Sequence, residues 1–425
     1  MRPTRSSWFF ASAASLALVA CSGSSATGSG PDAGAASPVS DAASRIESGS
    51  AETSSGYDTG SSTTNDASEP SATIAYTATL DGNQEAPVVA TTATGTATFT
   101  LSADKTTLAY HVTHTVTGGI AAHIHLGAAG ENGSVIFPLT PFSADMTGTI
   151  LLSSAGDAGP SPQSLADDLA KGLLYVNVHS AANAGGEVRG QILNPGDSLY
   201  VATLTGAQET PPVTSAGTGH AAVILNATLT SIRYHLDTSL TPTNAHIHRA
   251  IGSLAGPVVF PLMPIAQTID GSAAVTDADA ADLAAGHFYA NVHTAAHSGG
   301  EIRGQLLRPG QVLYTAAMSP ANEVPGLAGS AATAGGQFVL GADKTSLAYE
   351  VVINGITPTA AHIHSGPAGM NGPVVYPLML AAPGAKGTLT VNAADVTALD
   401  TSVYYCNAHT VANPTGEIRG QIVKQ

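Results

Sequence analysis

The chain has 425 residues, of which 43% are hydrophobic and only 10% are charged, and its formal net charge is −16. This acid excess excludes nucleic acids and anionic lipid surfaces as partners held by charge, because both repel a negative protein. The low charge density, together with abundant Ala, Gly, Thr and Val, favours an all-β extracellular protein.

The first 20 residues have the pattern of a secretory signal peptide. A basic start is followed by an apolar run, residues 8–20, that is too short to span a bilayer. The run ends in Leu18-Val19-Ala20-Cys21, which resembles the lipobox of bacterial lipoproteins, whose cysteine is lipidated after cleavage. This resemblance implies a lipid anchor at Cys21 in the bacterial cell envelope and, because Ser22 is not an aspartate, sorting to the outer membrane. An ordinary signal peptide with a chance cysteine is the alternative.

Residues 21–72 are predicted to form a lipidated, disordered linker. They consist mainly of Ser, Gly, Ala, Thr and Asp, with few large apolar side chains. Such a segment cannot bury a core, so it should act as a tether that holds the following domains away from the membrane.

The sequence after residue 72 begins with a stretch, residues 73–196, that predicts many short strands and one helix. Alternating apolar residues predict strands at residues 74–80, 95–101, 108–115, 121–125, 135–139, 173–179 and 187–193. A short helix is predicted at residues 164–171, with counterparts at 277–285 and 392–399. This pattern is typical of an antiparallel β-sandwich.

The same motifs recur three times at spacings that fit whole domains. Glu85 recurs as Glu209 and Glu323, at spacings of 124 and 114 residues. A unit of this length exceeds the ~20–50 residues of a solenoid repeat and has the size of an independent domain. With breaks at the two Pro-Gly joints, we predict repeat 1 at residues 73–196, repeat 2 at 197–310 and repeat 3 at 311–425.

Each repeat retains the same polar set: His-x-His, then Asn-x-His, then Glu-x-Arg. The histidines are His123, His125, His179, His246, His248, His293, His362, His364 and His409. The other members are Asn177, Glu187, Arg189, Asn291, Glu301, Arg303, Asn407, Glu417 and Arg419. Side chains two residues apart on a strand point to one face, so each His-x-His pair should stand side by side. Whether the pair meets the third histidine depends on strand order, which the sequence leaves open.

Two interpretations of this polar set are open. Three imidazoles from two strands suit zinc or copper, with the Asn or Glu side chains orienting the rings. Alternatively, the histidines, the Asn and the Glu–Arg pair form a buried hydrogen-bonded network that locks the end of the sandwich. In that second case the arginine acts as a salt bridge or a clamp on carbonyl groups.

The remaining motifs do not predict an active site. No Ser-His-Asp order or nucleophile elbow is retained across the repeats, and the Gly-rich loops lack the ending of a phosphate loop. The Gln84-Glu85-Ala86-Pro87 element predicts a turn, with a ligand-facing loop as the alternative. Cys406 replaces Val176 and Ala290 of the other repeats, so we expect a buried apolar residue. We therefore predict no catalytic residues and a protein that is not an enzyme.

Taken together, the motifs resemble a known extracellular family. Gln-Glu-x-Pro, Ala-His-Ile-His, Tyr-Val-Asn-Val-His and Gly-Gly-Glu-Val-Arg-Gly-Gln are similar to the CHRD domain, first named from chordin, and all three copies match. Repeat 3 departs at Asn322, Ala408 and residues 414–416, which affects its turn geometry. The resemblance implies an extracellular β-rich module and no settled activity for bacterial members. The His-x-His strand is also similar to the copper strand of Cu/Zn superoxide dismutase, whose zinc loop and disulfide have no counterpart here.

Our hypothesis from the sequence is a lipid-anchored, extracytoplasmic protein that presents three CHRD-like domains as a non-enzymatic binding or adhesion array. Its partners would be the membrane, through the lipid, and an extracellular protein or polysaccharide, and repetition would supply avidity. The alternative is a copper- or zinc-binding protein with one three-histidine site per repeat. A dismutase-like enzyme is a third possibility, since copper held by histidines can support redox chemistry.

Overall fold

The computed structural model describes residues 72–155 and 160–425. The predicted signal peptide, the predicted lipidation site at Cys21 and the predicted tether up to residue 71 lie outside these residues. Within the described ranges, no helix is both long enough and apolar enough to cross a membrane.

Each repeat contains the same eight strands and one helix, and repeat 3 has two further short strands. Repeat 1 contains β1 (Ile74–Asp81), β2 (Thr94–Leu101), β3 (Thr107–His114), β4 (Gly119–Leu126), β5 (Ser134–Pro138), β6 (Asp145–Leu151), α1 (Pro162–Lys171), β7 (Leu174–Ser180) and β8 (Val188–Gln191). Repeat 2 contains β9 (Ser198–Leu204), β10 (Gly219–Leu225), β11 (Ser231–Thr238), β12 (Asn244–Arg249), β13 (Val258–Pro261), β14 (Thr268–Ala274), α2 (Asp277–Ala284), β15 (Phe288–His293) and β16 (Ile302–Gln305). Repeat 3 contains β17 (Val312–Met318), β18 (Thr333–Leu340), β19 (Ser346–Asn354), β20 (Ala360–Ser365), β21 (Val374–Leu378), β22 (Leu380–Ala381), β23 (Gly384–Thr390), α3 (Ala393–Asp400), β24 (Tyr404–His409), β25 (Ile418–Gln421) and β26 (Val423–Lys424).

The strands of each repeat form two antiparallel layers. In repeat 2 the layers are two four-stranded sheets, with orders β14-β11-β10-β9 and β13-β12-β15-β16. Repeat 1 has the same order, and the pairing of Asp81 with Arg189 joins its two layers at one edge. Repeat 3 adds the short strands β22 and β26 to its first sheet. The predicted all-β architecture of three tandem antiparallel sandwiches, each with one short helix, is confirmed.

The core of each repeat lies between its two sheets. Alternate residues of β2 are buried, so Phe99 and Leu101 face inward, where they join Val176 and Val178 of β7 in one apolar cluster. The apolar face of α1 covers this cluster. This helix begins at a capping serine, Ser161, whose side chain accepts a hydrogen bond from the backbone of the first turn. Burial of apolar residues from both sheets and the helix is therefore the main force that holds the sandwich together.

The sequence analysis missed one strand of repeat 1, β6. Strand β6 and its counterparts β14 and β23 pair with β3, β11 and β19. The alternation of apolar and polar residues is weak in these strands because each contains a glycine opposite a tyrosine of the neighbouring strand. A Cβ atom at Gly148 would lie 2.6 Å from the hydroxyl of Tyr110, so only glycine leaves room for the ring.

Neighbouring repeats pack against each other through small apolar clusters. Leu199 and Ile224 of repeat 2 pack with Ala129 of repeat 1. At the second joint, Leu307 of repeat 2 packs with Leu313 and Val339 of repeat 3. Each joint therefore buries side chains from both repeats.

Candidate functional site: three histidine clusters

Strand pairing brings the three histidines of a repeat together. Strand β4 lies beside β7, with His123 opposite Asn177 and His125 opposite Tyr175. His179 is two residues beyond Asn177 and therefore lies on the same face of the sheet. The intervening apolar residues of both strands point into the core, so the histidines point away from it. This pairing supplies the strand order that the sequence left open.

The ring nitrogens converge in every repeat. One nitrogen from each of three histidines lies within 4.8 Å of the others in three groups: His123, His125 and His179; His246, His248 and His293; His362, His364 and His409. The tightest contact joins Nδ1 of the first histidine to Nε2 of the third, at 2.9 Å in repeat 1, 3.2 Å in repeat 2 and 3.0 Å in repeat 3. We call these groups the histidine clusters.

Two of the three rings in a cluster are oriented by backbone carbonyl groups. Nδ1 of His125 lies 3.0 Å from the carbonyl oxygen of Gly133, and Nδ1 of His179 lies 3.0 Å from that of Ala184. A carbonyl only accepts hydrogen bonds, so both Nδ1 atoms carry the proton and both Nε2 atoms carry a lone pair. The same arrangement holds in the other repeats, with acceptors Gly256, Ser298, Gly372 and Pro414.

The second histidine of each cluster has a ring nitrogen without a hydrogen-bond partner. Nε2 of His125 is buried and unpartnered, and so are Nε2 of His248 and Nε2 of His364. A buried polar atom that lacks a partner at the same place in three repeats calls for a ligand, an ion or a water molecule. These lone pairs are therefore available to bind one.

The surroundings of the clustered histidines favour the neutral form of the imidazole ring. In all nine, burial lowers the pKa below its ordinary value. In repeat 1, the charge of a neighbouring histidine lowers the pKa of His123 and His125 further. Neutral imidazole is the form that binds metal ions.

A stack of three side chains supports the cluster from one side. The guanidinium group of Arg189 lies 3.4 Å from the ring centroid of Tyr175, and that ring stacks on His125 with centroids 4.7 Å apart. Repeats 2 and 3 have the same stacks, Arg303–Tyr289–His248 and Arg419–Tyr405–His364. The stack fixes the plane of the second histidine before any ligand arrives.

The arginine binds carbonyl groups and not the glutamate of its own motif. Arg189 is 1% exposed and donates to the carbonyl oxygens of Glu131 at 2.6 Å and Ala128 at 2.7 Å. Glu187 instead accepts a hydrogen bond from Thr91. The Glu–Arg pair considered from the sequence is therefore not formed, and of its two suggested roles the arginine has that of the carbonyl clamp. Glu301 and Glu417 likewise accept from Ser215 and Ser330.

A buried glutamate from a distant loop completes the network, and the sequence analysis did not assign it. Glu85, in the Gln-Glu-x-Pro element, accepts a hydrogen bond of 2.8 Å from the side-chain amide of Asn177. Burial raises its pKa to about 7, against the opposing effect of Arg189. Glu209 and Glu323 contact Asn291 and Asn407 in the same way. Two features of the sequence could have indicated these supporting residues: the glutamate recurs in all three repeats, and so does a tyrosine two positions before each Asn.

Two loop positions next to each histidine cluster require glycine because the backbone there lies too close to other atoms for a Cβ. A Cβ at Gly133 would lie 1.7 Å from the carbonyl oxygen of Leu126, and the equivalents Gly256 and Gly372 have clashes of 1.9 and 1.6 Å. At Gly186, where φ is +137°, a Cβ would lie 2.2 Å from the side-chain nitrogen of Asn177. Both positions hold the loops close to the histidine strands.

The geometry of a histidine cluster fits a transition-metal ion. Three imidazoles bound to zinc at ~2.0–2.1 Å with tetrahedral angles have nitrogens about 3.3 Å apart. The tightest pair is already closer than this, and since the three nitrogens lie within 4.8 Å of one another, the wider separations would have to close by roughly 1.5 Å at most. His123 is partly exposed, so the fourth position faces solvent or an outside ligand.

Comparison with known families agrees with the repeat structure. The family model of the CHRD domain matches three stretches, residues 76–192, 200–306 and 314–422. No curated protein matches the chain. Each matched stretch contains one complete histidine cluster and its Arg–Tyr stack.

Proposed function

The chain belongs to the CHRD domain family along three tandem repeats, and we propose that it is a metal-binding array, with one zinc or copper ion in each histidine cluster. The observation that carries this proposal is the threefold recurrence of a buried, unpartnered Nε2 beside two further ring nitrogens. Carbonyl groups orient the second and third histidines, as they do the ligands of known metal sites. Zinc or copper would supply affinity for an outside ligand at the open position.

The proposed activity is binding and not turnover. The cluster offers three neutral imidazoles, while the nearby Glu85 and Glu187 are engaged with Asn177 and Thr91. A dismutase-like reaction would require redox cycling of copper at the open position. Superoxide turnover by the copper-loaded chain, compared with free copper at the same concentration, measures this directly; turnover above that of free copper would overturn the proposal of binding alone.

Metal titration tests the proposal. The full chain with Cys21→Ser, which blocks lipidation, is titrated with zinc and with copper by calorimetry. We expect the Cys21→Ser chain to bind about three equivalents of metal and the His179→Ala variant to bind two. The triple variant, in which His179, His293 and His409 are all changed to Ala, should bind none. His111→Ala is the matched control, because His111 is exposed and lies outside the clusters. Three equivalents in the triple variant would refute the assignment.

We further propose that the array is anchored in the bacterial outer membrane by a lipid on Cys21 and that residues 22–72 tether it. The apolar run before Cys21 and the composition of the following segment support this. Metabolic labelling with palmitate checks it: the label should enter the wild-type chain and be absent from Cys21→Ser. Equal labelling of both chains would contradict the anchor.

A second candidate function follows from the tandem arrangement itself. Three copies of one domain on one chain can hold an extracellular protein or polysaccharide by avidity, even when each copy binds weakly. Binding to a panel of extracellular polysaccharides, measured for the full chain and for a chain cut to one repeat, tests this. Equal affinities for the two chains would refute avidity.

A further inference from the structure

A cavity of about 410 Å³ lies at the joint between repeats 1 and 2. It is formed where the turn after α1 meets the outer face of the β9–β10–β11–β14 sheet, and its walls include Leu173, Ala222 and Ile224. We call it the joint cavity. None of the nine clustered histidines lines it, and its volume is in the range that holds a small organic molecule.

The second joint shows that this cavity is not a general consequence of stacking two repeats. The equivalent space between repeats 2 and 3 has a volume of about 190 Å³. There, Gln337 takes the place of Ala222. The two positions are equivalent because Gln337 pairs with Glu350 of β19 and Ala222 pairs with His235 of β11, the corresponding strand of repeat 2. The Gln337 side chain accepts from the backbone N–H of Gly252 at 2.7 Å and so crosses the joint. The small side chain of Ala222 therefore leaves space that a glutamine fills at the second joint.

Two cationic side chains around the joint cavity, Arg233 and Lys171, have hydrogen-bond donors to spare. Arg233 uses one terminal nitrogen to bind Asp197 at 2.5 Å, while its Nε is buried and has no partner. Among the described residues, Lys171 at the rim forms no ion pair. The acidic group in the wall, Asp270, is occupied by His235 at 2.8 Å. The cavity thus combines an apolar interior with two cationic N–H groups, Nε of Arg233 and the ammonium group of Lys171, that have no acceptor within the described part of the protein.

The ring of His235 is positively charged at neutral pH. Burial disfavours the charged ring, but the hydrogen bond with Asp270 and the ion pair with Glu131 outweigh burial and raise the pKa of His235 to about 9. Glu131 belongs to repeat 1 and the other two residues to repeat 2, so this ion cluster also ties the joint together. Both carboxylates face His235 and are not available to bind a cationic ligand.

We propose that the joint cavity binds a small organic acid with one carboxylate and an apolar body. The carboxylate accepts hydrogen bonds from Nε of Arg233 and from the ammonium group of Lys171, and the apolar body lies against Leu173, Ala222 and Ile224. This site is separate from the histidine clusters, and its occupation does not depend on bound metal.

The test uses octanoate as the probe and the full chain with Cys21→Ser, titrated by calorimetry with a metal chelator present. We expect one equivalent to bind, with 1-octanol at least about tenfold weaker because it lacks the charge that strengthens hydrogen bonds from Arg233 and Lys171. Ala222→Gln copies the second joint and should reduce octanoate affinity by at least about tenfold. In this variant the new side chain should reach the backbone N–H of Ala129, the counterpart of Gly252, so the fold is preserved.

The controls separate the cavity from other sites on the chain. Gln337→Ala changes the second joint in the opposite sense and should leave the affinity of the first joint unchanged, while thermal unfolding monitors the fold of every variant. Absence of saturable octanoate binding, or unchanged affinity in Ala222→Gln, would overturn the proposal. Equal affinity for octanol and octanoate would overturn the assignment of the two cations.

Discussion

A single methyl group added at Gly133 should weaken metal binding at one histidine cluster and leave the other two unchanged. A Cβ at this position would lie 1.7 Å from the carbonyl oxygen of Leu126, which is about half a normal contact distance. The backbone must therefore move by more than about 1 Å. Gly133 is the residue whose carbonyl oxygen accepts from Nδ1 of His125 and whose N–H donates to Tyr175. Gly133→Ala thus displaces the groups that orient one ligand.

The size of the effect follows from the role of these groups. Loss of a hydrogen-bonding partner behind a metal ligand costs about 10- to 100-fold in metal affinity, which is about 1.4–2.7 kcal/mol. We expect calorimetry of Gly133→Ala to show two sites with wild-type affinity and one site weakened by this factor. The thermal transition should also fall, because two hydrogen bonds are disturbed.

Gly185→Ala is the matched control for this experiment. A Cβ at Gly185 meets no atom within 4 Å, so the same chemical change should alter neither metal stoichiometry nor affinity. Three equal sites in Gly133→Ala, with the protein folded, would refute the idea that the carbonyl group of Gly133 prepares His125 for a metal.

Three further predictions concern the network, the first joint and the buried thiol. Arg303→Met removes hydrogen bonds to two loop carbonyls and the contact with Tyr289, and it should lower the free energy of unfolding by about 3 kcal/mol in urea denaturation; a change near zero would show that desolvation of the charge cancels these contacts. His235 has a raised pKa of about 9, so its contribution to stability is full below its unfolded pKa of ~6.5 and is lost as pH rises through about 9. The difference in Tm between wild type and His235→Gln should therefore shrink from pH 6 to pH 10, and a constant difference would contradict the ion cluster. Burial raises the pKa of Cys406 to about 12, so in the Cys21→Ser chain a thiol reagent should react at pH 8 only after unfolding; rapid reaction of the folded chain would contradict its burial.

Local rules predicted most of the fold and part of the site. The period-two alternation located β2 and β7, and the same rule put His123 beside His125 and His179 beside Asn177. Local rules do not determine which strands become neighbours. The pairing of β4 with β7, which closes the cluster, arises from long-range packing of the two sheets.

The supporting residues were harder to predict because they are distant in sequence. Glu85 reaches Asn177 across 92 positions of the chain, and the carbonyl groups clamped by Arg189 lie in a loop about 60 residues earlier. The motif alone suggested a Glu–Arg pair because two charges on one strand face are near neighbours. In the folded protein, Glu187 and Arg189 each bind a different partner on a loop that covers the sheet, which only the three-dimensional structure reveals.

X-ray absorption spectroscopy of the zinc-loaded chain tests the central claim most directly. If each histidine cluster binds one ion, the spectrum of a three-zinc sample should show nitrogen or oxygen neighbours at ~2.0–2.1 Å and the outer-shell scattering of three imidazoles per zinc. In the Cys21→Ser chain it should show no sulfur shell at ~2.3 Å, because the remaining cysteine, the buried Cys406, lies outside the clusters. Zinc that binds with oxygen ligands and without imidazole scattering would contradict the account.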